Sequence, residues 1–162
     1  MFGLSDSGVG ARGKALYRAA VRKHYAENSP ESAEGRGEER LLHYELTRAI
    51  LGAFYAVHTK LGAGFLEGVY ANALAVMLRK AGMTVEREVP FEMFFEGVSV
   101  GRYRADMVVE SKVIVEIKAS LAIDDRHRAQ LCNYLRVSGF DVGLLLNFSH
   151  RADFRRVVVT RK

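Results

Sequence analysis

Apolar positions recur at helical spacing along the first well-patterned stretch of the chain, residues 41–60. Leu42, Leu46, Ile50, Phe54, Val57 and Leu61, with His58, fall on one side and predict an amphipathic helix that Gly62 and Gly64 end. A second helix follows over 66–81, where Leu66, Val69, Tyr70, Ala73, Leu74, Met77 and Leu78 form one broad stripe and Gly82 is the expected C′ residue. The period then shortens. TVEREV, FEMFFEG and VSVGRYRADMVVE are rich in β-branched and aromatic residues and predict three strands, with a turn at Glu96-Gly97. VIVEIKA predicts a fourth strand beyond a turn at Ser111-Lys112. Helical spacing returns over 124–138, with Ala129, Cys132, Leu135 and Arg136 among the repeats and Gly139 at the end. DVGLLLNF is almost continuously apolar and predicts a central strand covered on both faces. FRRVVVT predicts a last strand, at a sheet edge because paired arginines are costly under cover. The order α, α, β, β, β, β, α, β, β has no internal repeat and reads as one α/β domain over 41–162.

Residues 1–40 differ. Six of the 15 glycines lie there, and NSPESAEGRGEER carries no apolar residue larger than alanine, so the stretch reads as a flexible arm and linker. ARGKALYRAAVRKHYAEN within it could form a basic helix, but its apolar stripe is thin. A single cysteine, Cys132, excludes an internal disulfide and a cysteine-ligated zinc or iron–sulfur centre from this chain alone. No run approaches the roughly 18 apolar residues of a membrane span. The N-terminus has no apolar h-region, so the expected compartment is reducing and cytoplasmic, without a membrane.

The net charge of +5 is unevenly placed. Residues 41–146 carry 12 basic and 12 acidic side chains, whereas 147–162 carry Arg151, Arg155, Arg156, Arg161 and Lys162 against Asp153 alone. A basic C-terminal edge suits a polyanion, because each phosphate contact releases counterions, though a solvated terminus has the same composition.

Candidate chemistry concentrates on one strand. In VIVEIKA the alternation sends Val113, Val115 and Ile117 to one face, and Ile114, Glu116 and Lys118 to the other. A carboxylate and an ammonium on one covered face are expensive unless they pair or meet a metal. Asp106, in RYRADMVV, is expected on the neighbouring strand, so three ionisable groups converge. Two carboxylates form an oxygen-donor site suited to Mg²⁺ or Mn²⁺. A lysine beside them can orient a water or stabilise charge on phosphate. A cross-strand salt bridge would use the same residues.

The order of motifs adds specificity. Asp106, then Glu116-Ile117-Lys118, then Gln130 and Tyr134 four apart on the following helix, resembles the PD-(D/E)XK nuclease superfamily, in its branch with a RecB-type Q-x-x-x-Y motif. Gly64-Phe65-Leu66-Glu67-Gly68-Val69-Tyr70 fits G-x-x-E-x-x-Y and is similar to the namesake stretch of the GxxExxY protein family. The resemblance covers 41–160 and implies a restriction-endonuclease-like mixed sheet flanked by helices. It implies Asp106 and Glu116 as metal ligands, with the Ile117 carbonyl as a third and Glu67 completing the site through a water. Lys118 would then position or polarise the attacking water, with Gln130 and Tyr134 supporting the site or touching the nucleic-acid backbone. Ala105 stands where the motif's proline would precede Asp106.

The implied activity is metal-dependent hydrolysis of phosphodiesters, with Mg²⁺ or Mn²⁺ as cofactor and nucleic acid, DNA before RNA, as partner. The alternative is a catalytically silent nucleic-acid- or partner-binding module on the same fold. Arg155, Arg156 and His127 are candidate phosphate contacts. Tyr70 serves equally as core or site, Cys132 reads as core packing, and His24, His43, His58 and His150 have no ligand spacing. Without a G-K-[ST] sequence, the glycines at 62, 64 and 68 make no phosphate loop.

Overall fold

The structure is a computed structural model that describes residues 42–160. The arm over 1–40, its candidate basic helix, and Arg161 and Lys162 lie outside the described residues. Three helices and five strands follow one another as α1 (Tyr44–Leu61), α2 (Glu67–Lys80), β1 (Val85–Phe95), β2 (Val98–Val109), β3 (Val113–Lys118), α3 (Asp125–Ser138), β4 (Val142–Asn147) and β5 (Asp153–Val158).

The strands form one mixed sheet in the order β1-β2-β3-β4-β5. β3 and β4 run parallel, joined by the α3 crossover, and the other neighbours are antiparallel. Strand alternation then builds three layers. Val113, Val115, Ile117, Leu144 and Leu146 pack under α1 and α2. Ile114 and Leu145 turn the other way, against Leu131, Tyr134 and Leu135 of α3. Every residue of β4 is buried, as its apolar run predicts, and β5 is an edge strand. Full burial of each Leu, Ile or Val contributes about 1.5–3 kcal/mol.

Helix ends follow their local chemistry. At the end of α2, Gly82 takes φ 83, its N–H donates to the Arg79 carbonyl, and the Met83 N–H donates to the Leu78 carbonyl. This closes the last turn as a left-handed glycine allows. At the start of α3, the Asp124 side chain accepts the His127 N–H while the His127 ring accepts the Asp124 N–H.

Two boundaries differ from the sequence expectation. TVEREV and FEMFFEG are one strand, β1, and Pro90 inside it pairs opposite Arg104. A proline lacks a donor, but β1 is a sheet edge and has a row of bonds to spare. The β2–β3 turn is centred on Glu110-Ser111, at φ 54 and 49, one residue earlier than expected. Lys112 N–H closes it onto the Val109 carbonyl.

Candidate active site

The site lies where β2 and β3 part. Their pairing covers Met107–Val109 against Val113–Val115 and stops before Asp106 and Glu116. On the other side, β1 pairs Arg87 with Met107 and Val89 with Ala105 but skips Glu88 and Asp106, and Glu88 stands at φ 53. The irregularity inverts the alternation. Met107 belongs to the α1/α2-side core, yet Ala105, two residues earlier, belongs to the α3-side core. Asp106 therefore sits in the seam itself. Its Oδ2 accepts the Ile117 N–H at 2.7 Å, and its own N–H donates to Glu116 Oε1 at 3.3 Å. Each strand's backbone thus holds the other strand's carboxylate, and the two acids are locked side by side.

Burial sets their proton affinity. Glu116 is 4 % exposed. Desolvation, with the Asp106 charge second, pushes its carboxyl up to about 8, against the opposing pull of the Asp106 N–H and Lys118. Asp106 is also raised, chiefly by burial, although the Ile117 N–H, Lys118 and Arg87 all favour its charged form. No cation pairs with either carboxylate among the described residues. Lys118, half-buried at the end of β3, makes no ion pair among them either, while its carbonyl accepts the Phe148 N–H.

α2 brings Glu67 to this end of the sheet. Tyr70 is fully buried and lies flat on Phe148 at 4.3 Å. Its hydroxyl donates to the Gly62 carbonyl at 2.8 Å and accepts the Phe65 N–H at 3.1 Å. The tyrosine of the G-x-x-E-x-x-Y pattern is thus core and brace at once, fixing the turn that delivers Glu67. Glu67 Oε1 accepts the Ala119 N–H at 3.4 Å, one residue beyond Lys118. Among the described residues, no three His, Cys, Asp or Glu side chains come close enough to hold an ion by themselves.

On the opposite side, Gln130 Nε2 donates to the Tyr134 hydroxyl at 2.7 Å. Burial and then the charge of Glu116 raise the Tyr134 pKa, which puts its ring within the field of the carboxylate pair. The spacing of four residues on α3 is what lets the two side chains meet.

The expected phosphate contacts are placed differently. His127 Nδ1 is committed to the α3 cap. Arg155 shares the row of Glu116 through Leu145, but its guanidinium pairs with Asp153 at 2.8 Å. Arg156 turns to the other face and donates to the Leu42 carbonyl at 2.6 Å.

Two site residues escape sequence reasoning. Arg87 Nε donates to the Asp106 carbonyl and its Nη1 to Asn72 on α2, a role set only by the β1–β2 register. Asn147, fully buried, accepts the Ser120 N–H and donates to the Ser120 carbonyl, clamping the loop after β3. A lone amide closing an apolar strand is the signal that could have found it.

A mixed α/β sheet with paired acids and a lysine at a strand seam defines the restriction-endonuclease-like class. The chain belongs to the PD-(D/E)XK nuclease superfamily, whose family model matches residues 44–157. Among solved structures, the crystal structure of SSO0001 is similar at 19 % identity and a TM-score of 0.48, over 94 % of this chain and 80 % of that one. No curated protein matches the chain. No helix among the described residues is long and apolar enough to cross a membrane.

Proposed function

We propose that the protein is a divalent-metal-dependent nuclease of the GxxExxY branch, with Asp106, Glu116 and Lys118 at its hydrolytic centre. The carrying observation is the reciprocal lock between the strands, which holds the half-buried Asp106 and the buried Glu116 together with no cation paired to them among the described residues. That donor set fits a hard ion, because Mg²⁺ binds through one or two carboxylates and keeps several waters. Asp106 and Glu116 would hold it. The Ile117 carbonyl points the same way as its N–H, into the gap, and is the available third donor. Bound there, the ion would supply Lewis-acid stabilisation of the phosphoryl oxygens.

The chain's own residues do the rest. Lys118 positions and polarises the attacking water and offsets charge developing on phosphorus. Water adds to phosphorus and gives up a proton to solvent, the bond to the leaving oxygen breaks, and that oxygen takes up a proton from solvent. Glu67 orders water at the rim. Gln130 and Tyr134 hold the wall of the site beside Glu116, and Arg155 offers a cation on the same sheet face.

The test is a cleavage assay on DNA and RNA with Mg²⁺ or Mn²⁺, comparing wild type with Asp106→Ala and with chelator added. Cleavage by wild type alone, lost with chelator, is the expected result. Binding without cleavage in any arm would instead support the catalytically silent module.

A further inference from the structure

Two of the most exposed leucines of the described chain lie next to Glu67 and close after Lys118 in sequence. Leu66, 80 % exposed, caps α2 immediately before Glu67, and Leu121, 96 % exposed, lies in the loop three residues after Lys118. The two segments are tied together by the Ala119 N–H to Glu67 bond. Neither leucine is on a loose tip. Asn147 clamps Ser120 on both sides of its peptide, and Tyr70 braces Phe65, itself 48 % exposed, through the Phe65 N–H and an edge-on ring contact. Apolar side chains held outward on anchored backbone forgo the burial that would stabilise the fold.

Charge points to what meets them. An intact duplex is held chiefly through its phosphates. Residues 41–146, which contain the carboxylate pair, Lys118 and Glu67, have no net charge. Of the cations nearby, Lys118 belongs to the hydrolytic centre, Arg87 is bonded to Asn72 and the Asp106 carbonyl, and Arg155, in the row of Glu116, pairs with Asp153. A thin phosphate clamp beside an apolar rim suits unpaired bases, whose faces stack on or admit apolar side chains.

We propose that Phe65, Leu66 and Leu121 form an apolar rim that receives unpaired nucleobases next to the scissile phosphate. The substrate class is then single-stranded nucleic acid or a frayed end, in preference to an intact duplex. The scissile phosphate rests on the nuclease reading above; the base contacts do not.

The test measures binding in chelator, where cleavage is off, using the full chain with a single-stranded DNA oligonucleotide, the matching RNA, and the blunt DNA duplex. Wild type should bind a single strand at least about tenfold tighter than the duplex, since each stacked base contributes about 1–3 kcal/mol. The DNA and RNA arms show which strand the rim prefers. The Leu66→Ser/Leu121→Ser double variant should lose about tenfold or more in single-strand affinity with duplex affinity and the circular-dichroism spectrum unchanged. Val76→Ser, which trims a 50 % exposed side chain ten residues after Leu66, should change nothing. Equal affinity for duplex and single strand, or a double variant that binds single strands as wild type does, overturns the proposal, as does a wild-type chain that binds none of the three. If single strands are preferred through the leucines yet nothing is cleaved with Mn²⁺, the nuclease reading fails and the rim stands. If Mn²⁺ drives cleavage but the leucines are silent, the rim fails and the nuclease reading stands.

Discussion

Glu116 binds its proton more tightly folded than unfolded, because the seam removes water from it and sets Asp106 beside it. For an acid whose folded pKa lies above its unfolded one, the native state carries the extra proton between the two values, and stability falls as pH rises through that window. In chelator, the protein should therefore lose stability from about pH 4.5 to about 8, by up to about 1.4 kcal/mol per pH unit for one proton. Urea unfolding at pH 5 and pH 8 measures this, and Glu116→Gln should flatten the difference. In the proposed function a divalent ion would replace the proton as counter-charge. Mn²⁺ should then raise the wild-type melting temperature at pH 8, through preferential binding to the folded state, and leave Glu116→Gln nearly unmoved. That Asp106 and Glu116 meet on neighbouring strands was legible in the sequence, because a short turn joins RYRADMVV to VIVEIKA. Arg87 was not, because its role depends on which β2 residue lies opposite, and register is a property of two segments at once.

At the scale of elements, α3 and β4 meet with no room to spare. Gly143 lies opposite Leu131, and a methyl group added at Gly143 would stand 2.7 Å from Leu131 Cδ1. Leu131 is fully buried, so its side chain has little freedom to move away. Gly143→Ala should cost about 1–3 kcal/mol in a denaturant titration and displace the helix that carries Gln130 and Tyr134. The helices and the central strand were legible because periodicity and terminal glycines are local signals. The single β1 was not, because Pro90 reads as a break unless the strand is known to lie at an edge, and edge position is decided only when the sheet assembles. The inversion of alternation at Asp106 is hidden for the same reason. It arises from Glu88 on the partner strand, which takes the left-handed conformation opposite it.

Over the whole molecule, the basic C-terminal edge divides in two. Arg156 reaches across to the Leu42 carbonyl ahead of α1, while Arg155 stays on the face of Glu116. Charge counting treats the pair as equivalent; the fold does not. Arg155→Ala should lower the salt slope of nucleic-acid binding by roughly one, the loss of one phosphate contact, with metal binding unchanged. Arg156→Ala should chiefly destabilise, since it frees a carbonyl that a charged donor now holds.

The central claim is that the strand seam is a metal-dependent hydrolytic centre in which Lys118 acts on the attacking water. Its most direct test is cleavage of a labelled oligonucleotide at saturating Mn²⁺ by wild type and Lys118→Ala, with the Mn²⁺-induced melting shift recorded on the same samples. Lys118→Ala should keep the metal-induced shift, since Asp106 and Glu116 remain, and lose cleavage by at least about 100-fold, the scale of a lost charge-stabilising donor. Equal cleavage by the two proteins, or a wild type that shifts with Mn²⁺ and cleaves nothing, would contradict it.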